Sequence, residues 1–190
     1  MNAVLTIVVV LAVMILLVAL IGVGIYNGFV RARVRTDEAW SAIDVQLKRR
    51  NDLVPNLVET VKGFAAHEQD TLTEVIRARG AVSRAQGPAD TAKADGMLSQ
   101  ALGRLFAVSE AYPTLRASEN FLALQKDLYD VEEKVAYARQ FYNANVRDFN
   151  TRISVFPQSV LASLMGLAPR EFFETDEAAR ASAKVSFERG

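Results

Sequence analysis

The only histidine of the chain, His67, is followed directly by Glu68, and this pair begins the helical His-Glu-x-x-His motif of zinc proteases. The second histidine of that motif is missing, because Thr71 stands four residues after His67. A di-iron carboxylate bundle needs two Glu-x-x-His pairs, so the single histidine excludes that class as well. We expect His67 to lie at the surface or near a helix end. A hydrolase that uses His67 and Glu68 is one functional hypothesis, and it ranks third, behind the two that follow from the rest of the sequence.

Other catalytic motifs are missing from the sequence. It contains no cysteine, which excludes disulfides, thiolate nucleophiles and cysteine-ligated zinc. It contains no Gly-x-Gly-x-x-Gly, no phosphate-binding loop and no Gly-x-Ser-x-Gly nucleophile elbow. The acidic residues between Lys126 and Lys134 are interleaved with lysine, as is typical of a solvated, ion-paired helix face. We therefore predict no catalytic, cofactor-binding or metal-binding residues, no cofactor, and a protein that is not an enzyme.

Two charged residues interrupt an otherwise apolar stripe. Counting by sevens from Trp40 and from Ile43 gives mostly apolar residues, but Arg50 and Glu68 fall on the same stripe. A charge on the seam of a helical bundle needs a partner, and such a pair can set register or partner choice. Alternatively, Arg50 could extend its guanidinium to solvent while its stem covers the core. The sequence leaves both readings open.

A proline lies inside the same stripe. Proline removes one backbone donor from a helix, yet the apolar phase continues unbroken from Leu47 to Val61 across Pro55. This favours one bent helix, in which the carbonyl of Asn51 needs a substitute hydrogen-bond partner. Asparagine and aspartate gather near the proline and again beside aromatic residues further along. These polar candidates are Asp52, Pro55, Asn56, Tyr142, Asn143 and Asn150. We expect the amides to satisfy the carbonyls freed by Pro55, and the alternative is a polar groove for a partner peptide.

These residues follow an apolar segment that predicts a membrane anchor. No charged residue occurs between Ala3 and Tyr26. About 24 residues at 1.5 Å per residue give roughly 36 Å of helix, enough to cross a hydrocarbon layer of about 30 Å. A cleaved signal peptide is the competing interpretation, but it requires a basic start and a small-residue cleavage site, and "VGIYNGFV" offers no such site. We predict an uncleaved anchor over residues 1–28.

The charges that flank the anchor predict its orientation. Arg31, Arg33 and Arg35 follow the span directly, and the positive-inside rule then places the C-terminal domain in the cytoplasm and the N-terminus outside. The same arginines are candidates for contact with anionic headgroups at the membrane surface. The 22 basic and 22 acidic residues give zero formal net charge, which argues against general nucleic-acid binding. We expect a single-pass membrane protein with no nucleic-acid partner.

Small residues near the inner end of the span suggest self-association. Gly24 and Gly28 are four residues apart, and Ala32 follows at the same spacing. Small residues at this interval let membrane helices approach closely. We predict that Gly24, Gly28 and Ala32 contribute to a homo-oligomer.

The remaining pattern predicts an all-α fold, in which the transmembrane helix is followed by an elongated antiparallel, up-down bundle of about four helices with a single core. We predict a first helix from about Phe29 to Ala85, a loop at 86–96, and a second helix from about Met97 to Tyr112. A third helix of about 36 residues carries Phe121, Leu128, Val135, Tyr142 and Phe149 at intervals of seven, and Ser118 is its predicted N-cap. A short fourth helix lies between Pro157 and Gly166. The predicted divisions are an anchor at 1–28, the bundle at 29–170 and a tail at 171–190, whose "AKVSF" pairs as a short strand or simply packs.

Three blocks of the sequence together resemble the LemA family of bacterial membrane proteins. They are "EAWSAIDVQLKRRNDLVPNLVETVKGFAAHE" (38–68), "EAYPTLRASENFLALQ" (110–125) and "YNANVRDFNTRISVFP" (142–157). The resemblance implies an N-out, single-span protein with a cytoplasmic antiparallel bundle and no established enzymatic activity. One relative acts in building magnetosome membranes, which favours membrane organisation as the general function.

These observations lead to two main functional hypotheses. The first is a membrane-anchored, self-associating helical scaffold at the inner face of the plasma membrane. The second is an adaptor, in which the Asn/aromatic face or Arg50 docks a membrane protease or another envelope protein. The expected partners are therefore the lipid bilayer, further copies of the chain and, in the second hypothesis, a membrane protein.

Overall fold

The computed structural model describes residues 2–174, and these residues are helical over most of their length, with no strand among them. This confirms the all-α fold class. The helices of the described residues are α1 (Asn2–Phe64), α2 (Gln69–Arg84), α3 (Gly87–Ser109), α4 (Pro113–Arg116), α5 (Glu119–Ser154) and α6 (Gln158–Leu164).

The N-terminal part of α1 exposes apolar side chains on every face. The exposed fraction is 67% at Val4, 70% at Ile15 and 57% at Val23. Within residues 2–174, α1 is the one helix that is long and apolar enough to cross a membrane, with a mean hydropathy of 3.5 in its most apolar window. These properties support a single-pass membrane protein, because so much apolar surface is unfavourable in water.

The chain forms two compact units, and α1 and α5 contribute residues to both. The first unit contains the residues before Ala39 together with Ala144–Arg170. Its core joins residues of α1, α5 and α6, which are Phe29, Ala32, Phe149, Ile153 and Ala162. Near its end α6 closes with Gly166 at φ +64°, and the amide of Leu167 donates to the carbonyl of Ala162 at 3.0 Å, as in a Schellman cap.

The second unit contains Ala39–Asn143 together with the residues after Arg170. Its core joins the apolar stripes of α1, α2, α3 and α5, and its members include Val54, Val61, Val75, Leu98, Leu105, Phe121 and Leu128. Within this unit α1 and α5 are antiparallel, because Trp40 contacts Tyr142 whereas Arg50, ten residues further along α1, contacts Glu132, ten residues earlier on α5. The seven-residue spacing of the α5 stripe is thus confirmed as the buried face of that helix.

The predicted single helix from Phe29 to Ala85 is wrong in one respect. The chain is helical through Pro55, as the unbroken apolar phase predicts, but α1 ends at Phe64 and α2 begins at Gln69. The break contains neither glycine nor proline, so tertiary contacts fix it: Ala65 is buried, and the side chain of Glu68 accepts a hydrogen bond from the distant Tyr112. Phe64, which the stripe predicts to face the core, is exposed at this helix end.

The predicted loop at 86–96 is also wrong, because α3 begins at Gly87. Pro88 stands in the first turn of this helix, where its missing donor would have no helical partner. The side chain of Asp90 accepts a hydrogen bond from the amide of Gln86 at 2.9 Å, and Thr91 donates to the carbonyl of Gly87 at 2.7 Å. Gly, Pro and Asp therefore form a helix N-terminus here rather than a loop.

The later helices agree with the sequence pattern. Helix α5 has 36 residues and follows Ser118 directly, and α6 lies between Pro157 and Gly166. The predicted second helix, from Met97 to Tyr112, corresponds to α3, which begins earlier, at Gly87, and ends earlier, at Ser109. Pro113 begins the single turn α4 instead of stopping that helix. The "AKVSF" prediction lies outside the described residues.

Candidate functional site

Arg50 forms the centre of a buried polar cluster in the second unit. Its Nη1 donates to Oδ1 of Asp95 on α3 at 2.6 Å. Its Nη2 donates to Oγ of Ser99 at 2.9 Å and forms an ion pair with Oε2 of Glu132 on α5 at 2.8 Å. The Arg50 side chain is only 4% exposed, so the alternative in which its guanidinium reaches solvent is wrong. Arg50 instead joins three helices of one unit, α3 by charge-assisted hydrogen bonds and α5 by an ion pair.

The electrostatics of this cluster are unbalanced. Burial raises the pKa of Asp95 above its ordinary value; the Arg50 guanidinium opposes this shift and the Glu132 carboxylate adds to it. Two carboxylates thus face one guanidinium. Nε of Arg50 is buried and has no hydrogen-bond partner among the described residues. The sequence pattern located Arg50 but not its partners, because Asp95 fell in the supposed loop and Glu132 in an apparently solvated face.

The proline in α1 is accommodated as the sequence predicts. Nε of Arg79 on α2 donates to the carbonyl of Asn51 at 3.1 Å, replacing the donor that Pro55 lacks. The Asn51 side chain donates to Oγ of Ser83 at 3.0 Å. Asp52 and Asn56 are exposed on α1. The need for a substitute donor was predictable, whereas Arg79 was not, since α2 was hidden inside the supposed single helix.

Tyr142 and Asn143 hold the chain segment that follows Arg170. The Tyr142 hydroxyl donates to the carbonyl of Glu171 at 2.9 Å. Oδ1 of Asn143 accepts from the amide of Phe173 at 2.8 Å, and its Nδ2 donates to the carbonyl of the same residue at 3.3 Å. The Phe173 ring is buried beside Trp40, with ring centroids 6.2 Å apart. The neutral side-chain amide of Asn143 therefore both accepts a hydrogen bond from and donates one to the backbone of Phe173.

Asn150 makes the same arrangement in the first unit. Its Oδ1 accepts from the amide of Arg170 at 2.8 Å, and its Nδ2 donates to the carbonyl of Arg170 at 2.9 Å. Nη2 of Arg170 pairs with Oδ1 of Asp37 at 3.0 Å. The prediction that these asparagines satisfy backbone groups is confirmed, but the groups are wrong: they lie 20 to 30 residues later and not at Pro55. A role of these residues in binding a partner stays a prediction.

His67 and Glu68 do not form a metal centre in the described residues. His67 is exposed, and no group of three or more potential metal ligands occurs between residues 2 and 174. Glu68 accepts from the Tyr112 hydroxyl at 3.0 Å, and this hydrogen bond raises the pKa of Tyr112. Glu68 thus joins the α1–α2 break to the residues before α4.

The predicted membrane residues lie on two kinds of surface. Gly24 and Gly28 are surrounded by open space, since a Cβ atom at either would meet no atom within 4 Å. Ala32 is 5% exposed and packs inside the first unit against its own chain. Arg31, Arg33 and Arg35 are exposed directly after the span. Gly24 and Gly28 therefore lie on an open groove of the first unit, whereas Ala32 is covered by its own chain.

The exposed apolar helix and the packed helical units define the class of the protein: an all-α, single-pass membrane protein. A LemA family model matches residues 39–187. The magnetosome protein MamQ 2 of Paramagnetospirillum magneticum is 30% identical, with a match that covers 78% of this chain and 64% of that protein. MamQ of Magnetospirillum gryphiswaldense is 28% identical with the same coverage. Protein LemA of Metamycoplasma hominis is 23% identical, and the match covers 86% of this chain and 75% of that protein.

This chain belongs to the LemA family. The match spans just under two thirds of the length of the MamQ relatives. None of the relatives' names given above denotes an enzyme.

Proposed function

We propose that this protein is a membrane-anchored helical scaffold that self-associates at the inner face of the bacterial plasma membrane and acts in membrane or envelope organisation, without catalysing a reaction. The observation that carries the proposal is the exposed apolar surface of the N-terminal part of α1, which a bilayer or further apolar helices would cover. The names of the MamQ relatives connect the family with the magnetosome, which supports a role in membrane organisation.

The self-association in this proposal rests on Gly24 and Gly28. They lie four residues apart on one face of the helix, with open space where a side chain would project. Two helices can pack closely at such a face, because van der Waals contact drives association where water is absent. Gly22 is a matched control, since it is equally open but lies on a different face.

The test measures the size of the full-length protein in mild detergent over a concentration series. We expect an oligomer whose population rises with protein concentration, and Gly24→Leu and Gly28→Leu should shift it toward the monomer whereas Gly22→Leu should not. A monomer at every concentration would remove the self-association from the proposal. An equal effect of all three substitutions would remove the Gly24 and Gly28 face.

The orientation in this proposal rests on Arg31, Arg33 and Arg35. Because the sequence has no cysteine, a single introduced thiol reports its location without background. Lys126→Cys places this thiol on an exposed position of α5. We expect a membrane-impermeant maleimide to label it only after the plasma membrane has been opened, and labelling in cells with an intact plasma membrane would contradict the orientation.

A further inference from the structure

A groove of about 280 Å³ lies between α3 and α5 in the second unit, and nothing described above accounts for it. One wall contains Ser99, Gly103 and Phe106 of α3, and the other contains Gln125, Tyr129 and Glu132 of α5. On each wall the residues are three to four positions apart, so each is one face of a helix. Arg50 also lines this groove, at the position where it joins the two walls.

Gly103 leaves the α3 wall of the groove without a side chain at that position. It lies inside α3, where glycine costs about 1 kcal/mol relative to alanine. Its φ is not positive, and a Cβ atom there would meet no atom within 4 Å, so neither backbone conformation nor close packing requires glycine. A side chain at this position would project into the groove. The open groove is therefore the structural consequence of having glycine at position 103.

The other wall combines an exposed ring with a half-exposed carboxylate. The Tyr129 side chain is 78% exposed, and the neighbouring Leu122 is 49% exposed on the same helix. Among the residues that line the groove, Glu132 supplies the carboxylate, and it shares the Arg50 guanidinium with Asp95. The Glu132 side chain remains 50% exposed while it pairs with Arg50. The groove thus has an apolar middle and a half-exposed carboxylate at one side.

We propose that this groove binds an amphipathic helix of a partner protein that carries an apolar side chain flanked by lysine or arginine. The apolar side chain would lie over Gly103 between Phe106 and Tyr129, and the cationic group would pair with the exposed part of Glu132. A helix fits better than an extended peptide, because both walls are helix faces without a free backbone edge, and a third helix packs its ridges into such a groove. The exposed part of the Glu132 carboxylate favours a basic partner.

The inference goes beyond the scaffold proposed above, and its test reads a different quantity. Full-length protein is placed in nanodiscs of phosphatidylcholine, and a labelled amphipathic peptide of leucine and lysine is titrated by fluorescence anisotropy, with empty nanodiscs as the blank. A leucine–glutamate peptide of the same pattern is the charge control. We expect saturable binding of the basic peptide and at least about tenfold weaker binding of the acidic one.

Variants of the groove decide whether this binding occurs there. Gly103→Leu should weaken the basic peptide about tenfold or more, because it fills the apolar middle. Gly63→Leu is the matched control, since Gly63 is also an exposed helical glycine with no atom within 4 Å of its Cβ position, and it should leave binding unchanged. Gly103→Ala should raise the melting temperature through helix propensity while weakening the peptide, which separates binding from folding.

Three results would overturn the inference. The first is binding equal to that of the empty nanodiscs, and the second is binding that Gly103→Leu and Gly63→Leu change equally. The third is efficient disulfide formation between copies carrying Tyr129→Cys that the basic peptide does not displace, since this would assign the groove to a second copy of the chain. Oligomer size is not read in this experiment, so the scaffold and the groove can each fail alone.

Discussion

The second unit contains two polar clusters that solve the same problem with different chemistry. Around Arg50, three helices are joined by charges that are buried at Arg50 and Asp95 and half exposed at Glu132, so that two carboxylates share one guanidinium. Around Asn143, a helix is joined to the segment after Arg170 by a neutral amide that accepts from and donates to one backbone residue. The charged cluster carries a large desolvation penalty that its pairing must offset, whereas the amide cluster carries a small one. The comparison predicts large, pH-dependent effects at Arg50 and smaller, pH-independent effects at Asn143.

The largest effect is expected for Arg50→Met. It leaves Asp95 buried without a cation, which should destabilise the folded protein by about 3–5 kcal/mol. Loss of the guanidinium also raises the pKa of Asp95 further above its ordinary value of 3.8. A carboxyl group whose pKa is higher in the folded state lowers stability as pH rises between the unfolded and folded pKa values. The difference in melting temperature from the unmodified protein should therefore shrink as the pH falls from 7 toward 4.

A double substitution is the control for this cluster. Arg50→Met with Asp95→Leu removes the cation together with the buried carboxylate, so most of the lost stability should return. A double variant as unstable as Arg50→Met alone would show that the loss is one of packing rather than of charge pairing.

An intermediate effect is expected for Asn143→Ala. The amide and carbonyl of Phe173 lose their partners, at a cost of about 1–3 kcal/mol. Trp40, the only tryptophan of the chain, contacts Phe173, so its fluorescence reports the displacement of this segment directly. The loss should be nearly the same at pH 4 and pH 7, because the backbone groups of Phe173 do not titrate and the contact of Nδ2 with the Glu174 carboxylate is long, at 3.4 Å, and exposed. Asn56→Ala, at an exposed position, should change nothing, and a pH-dependent loss at Asn143 would break the comparison of the two clusters.

A smaller effect is expected where Arg79 replaces the donor that Pro55 lacks. Arg79→Met should cost about 1–2 kcal/mol, because the carbonyl of Asn51 loses its donor. In a Pro55→Ala background the amide of residue 55 can bond that carbonyl, so the same substitution should cost less. Thermal unfolding of the four variants gives the coupling energy, expected at about 1 kcal/mol. Equal losses in both backgrounds would show that Arg79 acts independently of the proline.

The smallest effect is expected for the exposed ion pair of Arg104 and Glu74. Their side chains are 62% and 42% exposed, and the closest N–O distance is 2.6 Å. Arg104→Ala should cost less than about 1 kcal/mol, and the difference should vanish near 1 M salt. This pair serves as the exposed reference for the loss of stability, since its contact distance equals that of the Arg50–Asp95 pair while its side chains are not buried. A loss at Arg104 as large as that at Arg50 would contradict the role of burial.

The sequence predicted those features that depend on local pattern. The stripe from Phe121 to Phe149 needs only the helical period, and the need for a donor at Asn51 follows from the missing amide of Pro55. Features decided at a distance were not predictable. The break before α2 depends on contacts of Ala65 and Glu68, and the partners of Asn143 and Asn150 lie in a segment that has no helical pattern.

One error had a different cause. Glycine, proline and aspartate are common both in loops and at helix N-termini, so the residue types of Gly87, Pro88 and Asp90 do not decide between the two. In the structure the Asp90 carboxylate accepts a hydrogen bond from the amide of Gln86 at the start of α3. Because this helix start was predicted to be a loop, Asp95 was not placed on a helix face, and the ion pair of Arg50 with Asp95 was not predicted. The sequence therefore identified Arg50, the charge that interrupts an apolar stripe, but not the residues that pair with it.

The central claim is that the apolar part of α1 anchors the chain in a bilayer and brings several copies together. Particle imaging of the full-length protein, extracted with its native lipid, tests this claim most directly. We expect lipid-containing particles with several copies each, and fewer copies for Gly24→Leu but not for Gly22→Leu. Particles with a single copy, or protein recovered without lipid, would contradict the claim.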